Sequence, residues 1–172
     1  MKLTMPVALS LSLLAGCVGS APLTVPKALE PGAGETLALV VPARGVQIYQ
    51  CRISKDGEAG EWAFVAPDAD LFDARGKPIG RHGAGPFWEA SDGSRVTGTV
   101  KARADAPAAG AVPWLLLDAK SSGSDGAFSG VTSVQRVNTA GGQAPTAPCT
   151  AGNAGVSARV PYTADYYFYT AR

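Results

Sequence analysis

Apolar and polar positions alternate with a period of two through much of this chain. The clearest run sets Val96, Gly98, Val100 and Ala102 against Thr97, Thr99, Lys101 and Arg103, the pattern of a strand with one buried and one wet face. Val46, Ile48 and Gln50 against Gln47, Tyr49 and Cys51 repeat it in Gly45-Val-Gln-Ile-Tyr-Gln-Cys51. Residues 36–41, 61–65, 131–137 and 166–169 are further short runs rich in β-branched and aromatic side chains. Leu71-Phe72 and Pro78-Ile79 flank Asp73-Ala-Arg-Gly76, whose Asp and Gly suit a hairpin turn, and Asp92-Gly93 opens the run at 96. Trp114-Leu-Leu-Leu117 is apolar without alternation, as expected of a strand covered on both faces.

No window holds a period of 3.6 over three turns, and 21 glycines with 13 prolines oppose helices further. The pattern therefore predicts an all-β, single-domain antiparallel sandwich or partly closed barrel of about nine or ten strands. Residues 18–34 are small and turn-rich, with Pro22, Pro26, Pro31, Gly32 and Gly34 so spaced that no helix propagates. Residues 17–34 are expected to form a tether and residues 35–172 the β domain.

Residues 1–16 have the parts of an export signal: a charge at Lys2, an apolar stretch from Leu3 to Leu14, and small residues at its end. The stretch is shorter than the ~20 residues of a spanning helix and contains Pro6, so removal is expected. Leu14-Ala15-Gly16-Cys17 resembles the lipobox of bacterial lipoproteins. That resemblance implies cleavage before Cys17, acylation of its sulfur and amine, and a membrane partner bound through lipid. Several acyl chains anchor stably where one would be marginal. Val18, which is not an aspartate, implies by the same resemblance the outer membrane. The alternative is cleavage near Ala21 and release, with Pro22 awkwardly placed after the cut.

With Cys17 assigned to lipid, Cys51 and Cys149 remain as an even pair in an oxidising compartment and are expected to form a disulfide. The competing reading is a two-cysteine metal site, but His82 is the single histidine, so carboxylates would have to complete it. No metal and no cofactor is expected. The 15 basic side chains fall to 14 without Lys2, matching the 14 acidic ones with no charge runs, which gives no electrostatic footprint for nucleic acid.

Candidate chemistry concentrates between Gly80 and Arg95, a stretch holding His82, three further glycines, Trp88, two carboxylates and two arginines. A functional reading makes His82 a general base or metal ligand, partnered by Glu89 or Asp92. Arg81, Trp88 and Arg95 would then bind the ligand. The plainer reading is a Gly-rich loop entering a strand, with His82 hydrogen-bonded to backbone. Extended backbone there points Trp88 and Ala90 one way and Phe87 and Glu89 the other. Trp62, Trp88, Trp114, Tyr162, Tyr166, Tyr167 and Tyr169 offer a second possibility, an exposed aromatic platform for sugar rings of an envelope glycan. No nucleophile elbow, P-loop, dinucleotide fingerprint or multi-histidine zinc pattern is present in the sequence.

Several ordered blocks resemble the bacterial and fungal family catalogued as domain of unknown function 3455. They are Gly45 to Cys51, His82 with Gly85-Pro86-x-Trp88-Glu89, Asp92-Gly-Ser94, Pro113-Trp-Leu-Leu-Leu117, Gln135-Arg-Val-Asn-Thr139 with Gly141-Gly142, and Val160-Pro-Tyr-Thr-Ala-Asp-Tyr166. The resemblance runs from about Val25 to Tyr169 and implies an exported protein. Some fungal relatives carry a malate dehydrogenase label, which this chain lacks the strand-helix alternation and glycine fingerprint to support. Gly83 stands where the family's histidine block leads one to expect a tyrosine, removing a hydroxyl beside His82. The resulting expectation is a lipid-anchored envelope protein, a non-enzymatic binding or structural module with a glycan or protein partner. The alternatives are an enzyme or metal site at His82 with Glu89 and Asp92, and a carbohydrate-binding module.

Overall fold

The structure, a computed structural model, describes residues 23–55, 57 and 60–172; the expected signal segment and Cys17 lie outside the described residues. Among the described residues eight strands form one antiparallel sheet: β1 Glu35–Ile53, β2 Gly60–Phe72, β3 Pro78–Gly83, β4 Phe87–Ala90, β5 Ser94–Ala104, β6 Trp114–Gly123, β7 Val131–Gly141 and β8 Ser157–Ala171. Each pairs with its successor in the chain, and β8 pairs with β1, closing the sheet into an irregular barrel. Closure removes the exposed edges that an open sheet must protect. The described residues contain no α-helix, only the 3₁₀ turns Lys27–Leu29 and Ala151–Asn153.

The fold is all-β, as the alternation predicts, and its barrel form is one of the two architectures expected. The strands number eight because neighbouring sequence runs fuse. Residues 36–41 and 45–51 join across Pro42 into the 19-residue β1. Pro42 pairs only with β8, opposite Asp165, and the register with β2 begins at Ala43, so Pro42 stands where the strand has a neighbour on one side alone, a position that tolerates a residue without an N–H. Residues 61–65 and 71–72 likewise lie on the single strand β2.

Alternation sends one side chain in two to the barrel axis. Val96, Trp88, His82 and Ala69 are register partners from β5 across β4 and β3 to β2, and all are buried in the interior. With Val41, Leu71, Leu117, Phe128, Val134, Tyr162, Tyr166 and Phe168 they make the main core. A second cluster lies on the outer wall. There Leu29 is fully buried against Trp114, Leu116 and Val137, with Leu23 and Val25 packed beside them. The Gln135 amide fixes this segment by donating to Leu29 O at 2.5 Å. From Leu23 onward, the stretch expected to be a tether thus covers the barrel wall. It also explains the unbroken apolar run of β6: Leu117 faces in, while Trp114 and Leu116 face out under the N-terminal segment.

Cys51 and Cys149 are joined by a disulfide across 98 residues, tying the β7–β8 connection to the end of β1. Trp62 pins the same connection, its indole N–H donating to Ala147 O at 2.8 Å.

Candidate functional site

His82 and Trp88 face each other across β3 and β4, and their rings stack at 4.6 Å with planes 13° apart. The hairpin between them turns at Gly85, whose φ of +130° suits glycine alone. His82 is 3% exposed, and its Nδ1 donates to Phe87 O at 2.6 Å, which fixes Nε2 as the acceptor nitrogen of the neutral ring. Tyr166 closes a third side, 4.9 Å from the imidazole.

Burial pushes His82 down to about 4, with the backbone hydrogen bond to Phe87 opposing and the charge of Arg136 adding to the effect. The unfolded chain, whose histidine titrates near ~6.5, binds this proton more readily than the folded one. Stability from this group is therefore complete above pH ~6.5 and is lost as pH falls toward 4, by about 3 kcal/mol in all. Denaturant midpoints at pH 7.5 and 4 should show that loss in wild type and lack most of it in His82→Gln. Equal losses in both proteins would place the acid sensitivity elsewhere.

Glu89 lies on the opposite face of β4 from Trp88. It bridges Arg81 on β3 at 2.9 Å and Arg95 on β5 at 2.8 Å, one outer-surface charge row in which hydrogen bonds from Arg81 and then Arg95 hold the carboxyl below its usual range. Arg95 also lies over the Phe87 ring at 4.0 Å. Asp92 shapes a turn. One of its oxygens accepts from Ser94 N–H at 2.9 Å and Ser94 O–H at 2.6 Å, the other from Ala127 N–H at 2.8 Å, and these bonds lower its pKa, the Ser94 side chain foremost. The structure thus separates the three candidates: His82 inside, Glu89 outside, Asp92 stapling a loop. Among the described residues no group of three or more His, Cys, Asp or Glu is placed to hold a metal ion. Of the seven aromatic residues that a platform would draw on, Trp88, Trp114, Tyr162, Tyr166 and Tyr169 are buried, while Trp62 and Tyr167 are half-buried.

What His82 and Trp88 do share is a cavity. It occupies about 320 Å³, and its walls include Trp88, Tyr166, Pro86, Leu115 and Leu117. Phe64, Val65 and Val100, each about half exposed, also line it and mark its mouth. A second chamber of about 320 Å³ shares Phe64, Val100, Leu115 and Arg136 with the first, and adds Gln47, Tyr49 and Arg103. Eight strands are about the number at which a barrel interior holds either packed side chains or one small ligand.

Arg136 is the residue that sequence reasoning missed. It sits on β7 two positions beyond the fully buried Val134, on the same inward face. Its Nε and Nη2 donate to Pro113 O at 3.1 and 2.8 Å. The signal was a charge at an i+2 position in an otherwise apolar register, which in the sequence reads equally well as a solvent-facing position.

The family described as "Protein of unknown function (DUF3455)" matches residues 31–170 of this chain. The chain belongs to that family. No curated protein and no solved structure matches it. The family match spans every strand of the DUF3455 barrel except the last residue of β8, so both chambers lie within the family's domain.

Proposed function

We propose that this DUF3455 protein is a lipid-anchored, non-enzymatic component of the cell envelope that binds a small, largely apolar molecule in the mouth of its barrel. One observation carries the binding reading: an open chamber whose walls are mainly aromatic, proline and aliphatic side chains, with a few polar groups converging on it. Binding is favoured over catalysis by the surroundings of His82. It is stacked, neutral at ordinary pH and bonded to a backbone carbonyl, while Glu89 and Asp92 are engaged elsewhere. General acid–base work would need a carboxylate or a substrate proton within hydrogen-bond reach of that ring.

The anchoring half rests on the Leu14-Ala15-Gly16-Cys17 lipobox. One set of three proteins tests both halves. Wild type should fractionate with membranes and gain thermal stability from naphthalene-sized apolar probes, by ~2.7 kcal/mol at about 100 times the dissociation constant. Cys17→Ala should appear in the soluble fraction and keep the ligand response. Leu115→Trp, which fills the space shared by the two chambers, should stay membrane-bound, melt cooperatively and lose the response. A Leu115→Trp protein that still responds would remove the barrel interior as the binding site, and a Cys17→Ala protein that still sediments with membranes would remove the anchor.

A further inference from the structure

Arg136 brings a permanent positive charge into an enclosure made mainly of apolar groups. Such a charge is costly to hold away from water unless it is paired. The four ion pairs among the described residues join Arg81 and Arg95 to Glu89, Lys101 to Asp118, and Arg159 to Asp68; Arg136 takes part in none. No carboxylate lines either chamber. Its guanidinium donates through Nε and Nη2 to the neutral oxygen of Pro113 and also bonds the neutral hydroxyl of Tyr166, so none of its protein partners carries a charge. A second cation, Arg103, lies in the same cross-strand row, separated from Arg136 by Leu115.

An independent observation points to the same chamber. Gln47, 1% exposed, lines it from β1; its amide Nε2 is buried without a well-formed hydrogen bond, and the group its side chain approaches is the Tyr162 hydroxyl. Leaving a buried donor unpaired costs about 1–3 kcal/mol, so such groups in folded proteins ordinarily have a partner. Tyr49, the chamber's phenol, is already committed, its O–H donating to Gly142 O at 2.7 Å. The chamber therefore presents one half-buried guanidinium, one under-bonded amide donor and a rim arginine, with no negative charge to answer them.

We infer that the barrel's ligand is a small monocarboxylate: its apolar, ring-sized body lies against Trp88, Tyr166 and Leu117, and its carboxylate lies in the second chamber between Arg136 and the Gln47 amide, with Arg103 at the mouth. This rests on the reading of the barrel interior as a ligand site and names the chemistry of what enters it. A planar guanidinium edge matches the two oxygens of a carboxylate, and pairing there supplies the counter-charge the wall lacks.

The test uses two probes of equal shape, 2-naphthoate and 2-naphthalenemethanol, titrated calorimetrically into residues 18–172, which contain the entire closed barrel. Wild type should bind the carboxylate about 10- to 100-fold more tightly than the alcohol, the range expected for hydrogen bonds to a charged group. Arg136→Met should erase most of that preference while changing alcohol affinity less than about 3-fold. Raising salt should weaken the carboxylate and spare the alcohol. An alcohol that binds wild type as well as the acid would overturn the carboxylate assignment and leave the apolar site standing. If neither probe binds wild type, the site itself fails and this inference with it. Should Arg136→Met not fold, the wild-type preference and its salt dependence decide the matter alone.

Discussion

Replacing both Cys51 and Cys149 by serine is expected to lower the stability of the domain by ~4–5 kcal/mol. The bridge closes a 98-residue separation, and on the chain-entropy account a loop of about that length constrains the unfolded ensemble by nearly 5 kcal/mol. Domains commonly hold ~5–15 kcal/mol in all, so the loss is large enough to leave some of the protein unfolded at physiological temperature. Native contacts around the bridge soften the structural effect without replacing the constraint. Cys51 N–H donates to Val156 O and Gly155 N–H to Cys51 O, both at 2.9 Å, so the end of β1 stays laddered to the start of β8 after the sulfurs are gone. The result should be a shifted guanidinium midpoint, with the slope changed only as far as the freed denatured chain exposes more surface. A midpoint shift worth under about 1 kcal/mol would show that the unfolded chain is already constrained in some other way.

Trp88→Ala should cost about 3–5 kcal/mol, the range for deleting a large aromatic side chain from a packed core. Trp88 is 1% exposed, stacks on His82, and meets Tyr166 and Phe168 edge-on at 5.2 and 5.9 Å. Gly98 exists in that form to admit it: a Cβ there would lie 3.0 Å from both the indole Cζ3 and Leu117 Cδ2. The glycine and the ring are one packing unit, so truncating the ring leaves a space that neighbours cannot close. Because the missing ring opens a face of His82 to water, the imidazole pKa should rise back toward its ordinary value, an effect that NMR titration of the single histidine reads directly. A stable variant with an unmoved histidine would mean that the interior relaxes around the loss.

Much of the barrel can be read from alternation, because its strands are half-buried and each residue's face follows from parity. The parity of Phe87 to Ala90 also foretells that Trp88 points inward and Glu89 outward, which keeps His82 and Glu89 apart on opposite faces of the hairpin. What parity does not carry is closure. Whether a face turned away from water meets a second sheet, a barrel axis or a covering segment depends on pairings between β1 and β8, which are more than 100 residues apart in the chain. That is why Trp114 and Leu116, visible as buried, could not be matched in the sequence with Leu29, and why Arg136 could not be told from a solvent-facing charge. The proximity of His82, Glu89 and Asp92 along the chain was a poor guide, since eleven residues that pass through one reversal and into a second place side chains on three different surfaces.

The segment from Leu23 to Leu29 joins two properties that are usually separable. A protease that cut the chain just upstream of Leu23 would leave the barrel with its outer cover in place. One that cut a few residues later would release a barrel stripped of its outer cover, with Trp114, Leu116 and Val137 turned to water on one wall. Loss of that segment and loss of colloidal solubility would then be the same event.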